Sequence, residues 1–264
     1  MSPTLLLLLI QSVFGQQTTC VRGGNNLYTS SFSRGVDSSF WSHEYYSPNG
    51  ERQVYTNNAD TFYTSGGNLV IRAFKDNRGT WNSARLLANR GWNNFRAEVV
   101  FKLDQAVDGA FPAIWMQPVG GWAPDDGEID LMEYSQAFPV SPVQQAVQTR
   151  SQNNGWGPTF RRCNPDVTNW VNVAVEQTDR AVTFYCNGQL SGAYNRPENS
   201  NFDNWPFSSK QYALTLNYAI QPSFMGPVPD HVNSLSMTIS SIKVTSCFSD
   251  ANGSNNMVVG SAPL

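Results

Sequence analysis

Gly127-Glu128-Ile129-Asp130-Leu131-Met132-Glu133 sets three carboxylates within six residues of an otherwise apolar run. Entered through Pro124-Asp125-Asp126-Gly127, a run of this length and composition reads as a buried strand. An ionised acid left unpaired in such a strand is costly, so the three must be hydrogen-bonded, partly protonated, metal-bound or turned toward a wet cleft. Side chains alternate along a strand, which puts Glu128, Asp130 and Met132 on one face and Glu133 on the other. One extra residue, a β-bulge at Leu131-Met132, reverses that last step and gathers all three acids on one face.

Outward from this segment the chain keeps the same character. Short apolar or alternating runs recur at Asn68 to Phe74, Ser83 to Leu87, Phe95 to Leu103, Ala110 to Met116, Glu128 to Tyr134, Trp170 to Gln177, Ala181 to Cys186, Tyr212 to Ala219 and Leu235 to Thr245. Turn formers separate them, among them Gly66-Gly67-Asn68, Thr178-Asp179-Arg180 and Asn187-Gly188. No helical period and no fixed repeat interrupts the pattern, which predicts an all-β sandwich of two antiparallel sheets in one domain. The 264 residues suffice for a large single core.

Composition narrows the function. A net charge of -3, with basic residues scattered rather than bunched, gives no footprint for nucleic acid. Only 14% of residues are charged while eight Trp and ten Tyr are present, a balance suited to a neutral polar ligand such as a sugar. Met1 to Gly15 reads as a signal peptide, with an apolar run at Leu5 to Ile10 but no Lys or Arg before it. No later segment is long and apolar enough for a transmembrane helix. We therefore expect a secreted, extracellular monomer off the membrane, comprising a leader over 1–15, the main domain over 16–249 and a flexible tail over 250–264. Asn252-Gly253-Ser254 in that tail is a glycosylation sequon.

Cys20, Cys163, Cys186 and Cys247 form no CxxC pair and suit two structural disulfides. Three pairings are open. Cys163 with Cys186 and Cys20 with Cys247 would staple an interior segment and join the two ends. A zinc site is disfavoured by their wide spacing and by the presence of only two histidines, His43 and His231, neither of which sits near a Ser-His-Asp motif.

Two Glu flanking an Asp on one concave face fit glycoside hydrolysis, where one carboxylate attacks the anomeric carbon and another protonates the leaving oxygen, the pair roughly 5–5.5 Å apart in a retaining enzyme. Asp130 is too short to reach as far and is read as a supporting group that hydrogen-bonds Glu128 and separates the titration of the two Glu. The bland alternatives are a calcium site or a solvated acidic edge. The segment lacks the spaced ligands of an EF-hand loop, and a structural calcium elsewhere in the fold stays open.

With its spacing and flanks, the segment resembles the catalytic strand of glycoside hydrolase family 16, in the bulged Glu-x-Asp-x-x-Glu form of laminarinase-like endo-β-1,3-glucanases. Gly67-Asn68-Leu69-Val70-Ile71, Ser83-Ala84-Arg85-Leu86, Phe95-Arg96-Ala97-Glu98-Val99, Phe111-Pro112-Ala113-Ile114-Trp115-Met116 and Trp205-Pro206-Phe207 follow as family-like blocks in order, so the resemblance spans about Phe32 to Val244. It implies a β-jelly-roll with a concave substrate cleft and a retaining mechanism that needs no cofactor. It also implies Glu128 as nucleophile, Asp130 as its assistant and Glu133 as acid/base. Trp115 and Trp122 resemble sugar-stacking tryptophans, Arg85 a hydroxyl-binding arginine and Asn217 an Asn facing the sugar, though Arg85 also suits a structural ion pair. Gln148 stands where the family usually has a cleft His, Phe111 where Trp is frequent, and Gln221-Pro222-Ser223-Phe224 replaces a Gly-rich loop. The expected ligand is a β-glucan polysaccharide. A non-catalytic glucan-recognition protein and a family 16 hydrolase of another polysaccharide are the alternatives.

Overall fold

The computed structural model describes residues 20, 24–46, 50–138, 141–152, 159–160, 163–221, 223 and 225–247. The expected leader and tail, the sequon, and Pro222 and Phe224 lie outside these residues. In chain order the strands are β1 (Asn26–Ser30), β2 (Trp41–His43), β3 (Gln53–Tyr55), β4 (Phe62–Ser65), β5 (Asn68–Lys75), β6 (Trp81–Ser83), β7 (Arg85–Ala88), β8 (Phe95–Leu103), β9 (Ala110–Pro118), β10 (Glu128–Tyr134), β11 (Val143–Gln148), β12 (Thr159–Phe160), β13 (Val171–Gln177), β14 (Ala181–Cys186), β15 (Gln189–Asn195), β16 (Tyr212–Ile220) and β17 (Ser234–Ser246). They form two sheets. One runs β15-β14-β13-β8-β17-β5-β6-β3, with β1 added on β17 and β4 on β5; the other runs β12-β11-β10-β9-β16-β7-β2.

Alternation explains the layering. In β8, Phe95, Ala97, Val99, Phe101 and Leu103 are buried while Arg96, Glu98, Val100 and Lys102 point outward. From the seven-stranded sheet Ile114, Met116, Ile129, Leu131, Leu214 and Leu216 close the same core, each such side chain contributing roughly 1.5–3 kcal/mol on burial. The acid-bearing strand β10 lies between β9 and β11 in that sheet, and with Ile129 and Leu131 in the core its polar face turns to the outer side of the sandwich.

Both disulfides form in the Cys20–Cys247 and Cys163–Cys186 arrangement. They close loops of 227 and 23 residues, worth roughly 5 and 3 kcal/mol in the chain-entropy account. Three details differ from the sequence expectation. The run Ser83 to Leu87 is two strands, because Ala84 breaks between β6 in one sheet and β7 in the other. The pairing of β3 with β6 is parallel, so the ten-stranded sheet is not purely antiparallel. Seven further strands, β1, β2, β3, β4, β11, β12 and β15, carry too few apolar residues to announce themselves by periodicity.

Candidate active site

The decisive geometry is the register of β10. Against β11, Asp130 pairs with Ala146 and Glu133 with Gln144, so Leu131 and Met132 together oppose Gln145. Against β9, Asp130 pairs with Trp115 and Met132 with Ile114, again with one residue too many on β10. Both bulge residues are fully buried, as are Ile129 and Tyr134. Past the bulge the alternation restarts, and Glu133 emerges on the face of Glu128 and Asp130. Entry into the strand is fixed one residue earlier. Gly127 has φ +92°, and a Cβ there would strike the Tyr212 hydroxyl and the Pro206 ring, while that hydroxyl donates to the Asp126 carbonyl at 2.9 Å.

The acids receive few strong partners. Gln148 Nε2 donates to Glu128 Oε1 at 3.3 Å and lies 3.5 Å from Asp130 Oδ2; Gln144 Nε2 donates to Glu133 Oε2 at 3.1 Å. Burial pushes the Glu128 carboxyl up to about 7, the Glu133 charge adds to this, and the Asp130 hydrogen bond and the Arg85 charge partly offset it. Burial likewise raises Glu133 to about 7, partly offset by the Gln144 amide. Asp130 is raised well above the carboxylate range by burial and by the Glu128 and Glu133 charges. The three therefore titrate as one group that keeps protons near neutrality. Gln148, in the position expected for a histidine, supplies hydrogen bonds without a titratable group.

Beside the acids, cross-strand pairing lines up the other candidates. Trp115 (β9) lies opposite Asp130 on one side and Thr215 (β16) on the other; Asn217 (β16) lies opposite Ala113 and Arg85 (β7). Trp115 Nε1 donates to Asn217 Oδ1 at 2.7 Å, and the Arg85 guanidinium sits 4.9 Å from the centroid of the Trp115 ring. Asn217 is buried, and its Nδ2 donates to the Tyr55 hydroxyl at 3.1 Å, which donates to Glu51 Oε2 at 3.3 Å. One end of its amide thus holds Trp115 and the other is anchored on Tyr55. Arg85 is buried too, and its Nε is paired at 2.7 Å with Glu44, which also accepts from Gln117 at 3.0 Å. The ion-pair reading of Arg85 is therefore satisfied at Nε, alongside its place over the tryptophan ring.

Trp122 stands apart from this packed set. It is carried by the β9–β10 loop at the Glu128 end of the strand and is 77% exposed, so its ring is open to a ligand. The loop is closed by Asp126, whose Oδ2 accepts from the Trp122 amide at 3.0 Å and whose backbone N–H donates to the Trp122 carbonyl at 2.8 Å. The sequence reading missed Glu44, Glu51 and Tyr55. They sit near short strands whose pattern gives no sign of facing the cleft, and only the odd acid beside Tyr45-Tyr46 or Arg52 could have drawn attention. Among the described residues no group of three or more His, Cys, Asp or Glu is arranged to hold a metal ion, and no helix is long and apolar enough to cross a membrane.

No family model matches the sequence. A curated beta-glucanase from Rhodothermus marinus is 28% identical over 202 residues, 67% of each chain. Among solved structures, a laminarinase from Flavobacterium sp. UMI-01 superposes with a TM-score of 0.75 at 25% identity, covering 84% of this chain and all of that one. SCLam, a non-specific endo-beta-1,3(4)-glucanase from family GH16, superposes with a TM-score of 0.78 at 23% identity over 86% of this chain and 92% of its own. A variant of SCLam has been solved with 1,3-beta-D-cellobiosyl-glucose at its active site.

Proposed function

We propose, for a chain that is a laminarinase-like glycoside hydrolase of the family 16 type, that it is a secreted, retaining endo-β-1,3-glucanase acting on laminarin-type glucans, mixed-linkage chains included. The observation that carries the reading is the β10 bulge, which sets Glu133 on one face with Glu128 and Asp130. Glu128 attacks the anomeric carbon while Glu133 gives its proton to the departing oxygen, leaving a glycosyl ester on Glu128. Glu133, now ionised, takes a proton from the water that hydrolyses the ester. The raised, shared titration of the acids suits this exchange, because one ionised and one protonated carboxyl coexist near neutral pH. Asp130, hydrogen-bonded to Glu128, favours the ionised form of that carboxyl and so assists its attack.

Trp115 and the exposed Trp122 offer aromatic faces to sugar rings, with Asn217 and Arg85 holding the first of these. The chemistry calls for no cofactor, and the protein acts as a monomer. Purified protein should release reducing ends from laminarin and lichenan, with the β anomer formed first in a proton NMR time course. A first-formed α anomer would sink the retaining mechanism. If no β-glucan is cleaved while laminarin still binds, the chain is a recognition protein instead.

A further inference from the structure

We infer that Gln145 is a positioning residue: its side chain latches the β10 bulge and so holds the Glu133 carboxyl in the cleft. The inference rests on the reading of Glu133 as acid/base. β11 alternates, with Gln144, Ala146 and Gln148 on the acid face and Val143, Gln145 and Val147 on the core face. A fully buried glutamine between two buried valines breaks that pattern, and it stands opposite the doubled pair Leu131-Met132.

Its hydrogen bonds say why. Gln145 Nε2 donates to the Leu131 carbonyl in the bulge at 2.9 Å and to the Tyr185 carbonyl of β14, in the other sheet, at 3.2 Å. Both acceptors are carbonyls, so the amide has one workable orientation; turned over, its own oxygen would face them. Oε1 has no partner among the described residues, which leaves the two donated bonds to hold the side chain. A bulge disrupts the ladder locally, and a carbonyl it frees inside the core is costly unless a donor reaches it. Gln145 supplies that donor and ties the bulge across the sandwich to the second sheet. Without it, the strand relieves the buried carbonyl by losing the bulge, and a one-residue slip carries Glu133 to the opposite face.

Gln145→Met keeps an unbranched side chain of similar bulk and removes the donor, so it tests the latch directly. Its kcat on laminarin should fall about 100-fold with KM little changed, the size of effect expected when a catalytic group is displaced by about 1 Å. The loss should be much smaller on an aryl β-glucan oligosaccharide whose phenol needs no proton to depart, and azide should accelerate that reaction, as for Glu133→Gln measured in parallel. The second arm deletes Met132. This leaves Glu128-Ile129-Asp130-Leu131-Glu133 in regular alternation, with no bulge to latch. In that background Gln145→Met should cost little activity.

Equal losses on laminarin and the aryl substrate, equal losses with and without Met132, or failure to fold in both backgrounds would each overturn the inference. Failure to fold only when Met132 is present supports it. If Glu133→Gln keeps full activity, the acid/base reading itself falls and takes the inference with it. If Glu133→Gln is crippled and Gln145→Met is not, only the latch is wrong.

Discussion

Asp130 and Glu176 are almost equally buried, at 1% and 4% exposure, on the outward faces of opposite sheets. Their surroundings differ in kind. Glu176 accepts from Arg96 at 2.7 Å, from the Tyr185 hydroxyl at 2.9 Å and from the Cys20 amide at 3.1 Å, and Arg96 also reaches Glu98 at 2.9 Å. Asp130 and its two glutamates get glutamine amides, the neighbouring carboxyls, and the distant field of an arginine paired at 2.7 Å with Glu44. A carboxylate paired with a cation holds structure together. One left among like charges must trade protons, which is what catalysis asks of it.

The largest test of this contrast is on the acids. Glu128→Gln should lower kcat on laminarin by roughly 10^4-fold or more while the fold survives, because it removes the attacking group with little change of shape. A well-folded variant with near-normal turnover would break the comparison at its root. Next comes Arg96→Met, which strands Glu176 without its cation at a cost of about 3 kcal/mol in denaturant unfolding. Its kcat should match the parent; a catalytic defect there would mean that the two acid clusters are not separate.

Proton linkage gives a smaller, pH-dependent effect. Glu128 and Glu133 have folded-state titrations raised to about 7 from 4.5, so the folded state holds protons that the unfolded chain has released in that interval. Their contribution to stability is present in full below about pH 4.5 and is lost as pH rises through about 7. Glu133→Gln should therefore be more stable than the parent by roughly 2 kcal/mol at pH 8, with no advantage at pH 4, in paired melting curves. For the same reason parent activity should decline above about pH 7 as the last donor proton is lost. The mildest test is Tyr55→Phe, which frees one end of the Asn217 amide. It should cost about 1 kcal/mol of stability and raise KM a few-fold, by loosening Trp115, with kcat nearly unchanged.

The fold was legible where burial wrote a long pattern. β8, β10 and β14 run over the residues that alternation predicts, and β5, β9, β13, β16 and β17 are off by at most two residues at an end. The strands of two to five residues were not, since so few positions cannot display a period, and β11 and β15, at six and seven residues, were hidden by the polar residues that interrupt them. The acids were legible because charge in an apolar run demands an account, and the odd spacing of Glu133 asked for a bulge. What lies around them was not. Glu44 reaches Arg85 across 41 residues and Tyr55 reaches Asn217 across 162. Such partnerships are made by sheet order, which no local stretch of sequence contains. Gln145 is the middle case, visible as a polar interruption of Val143 and Val147 but meaningless until the register places it against Leu131-Met132.

The Cys20–Cys247 bridge brings the two ends of the described chain to Cα atoms 4.7 Å apart, at the end of the ten-stranded sheet where β8 begins and β17 finishes and the Cys247 N–H donates to the Asn94 carbonyl. Residues 20 and 247, at which the described chain begins and ends, therefore sit at one point of the domain. The described domain thus closes on itself like a hooped band, its two ends meeting beside the sheet that does not carry the acids. A permuted chain with the two ends spliced by a short linker, and opened at an exposed turn such as Gly66-Gly67, would keep the same cleft.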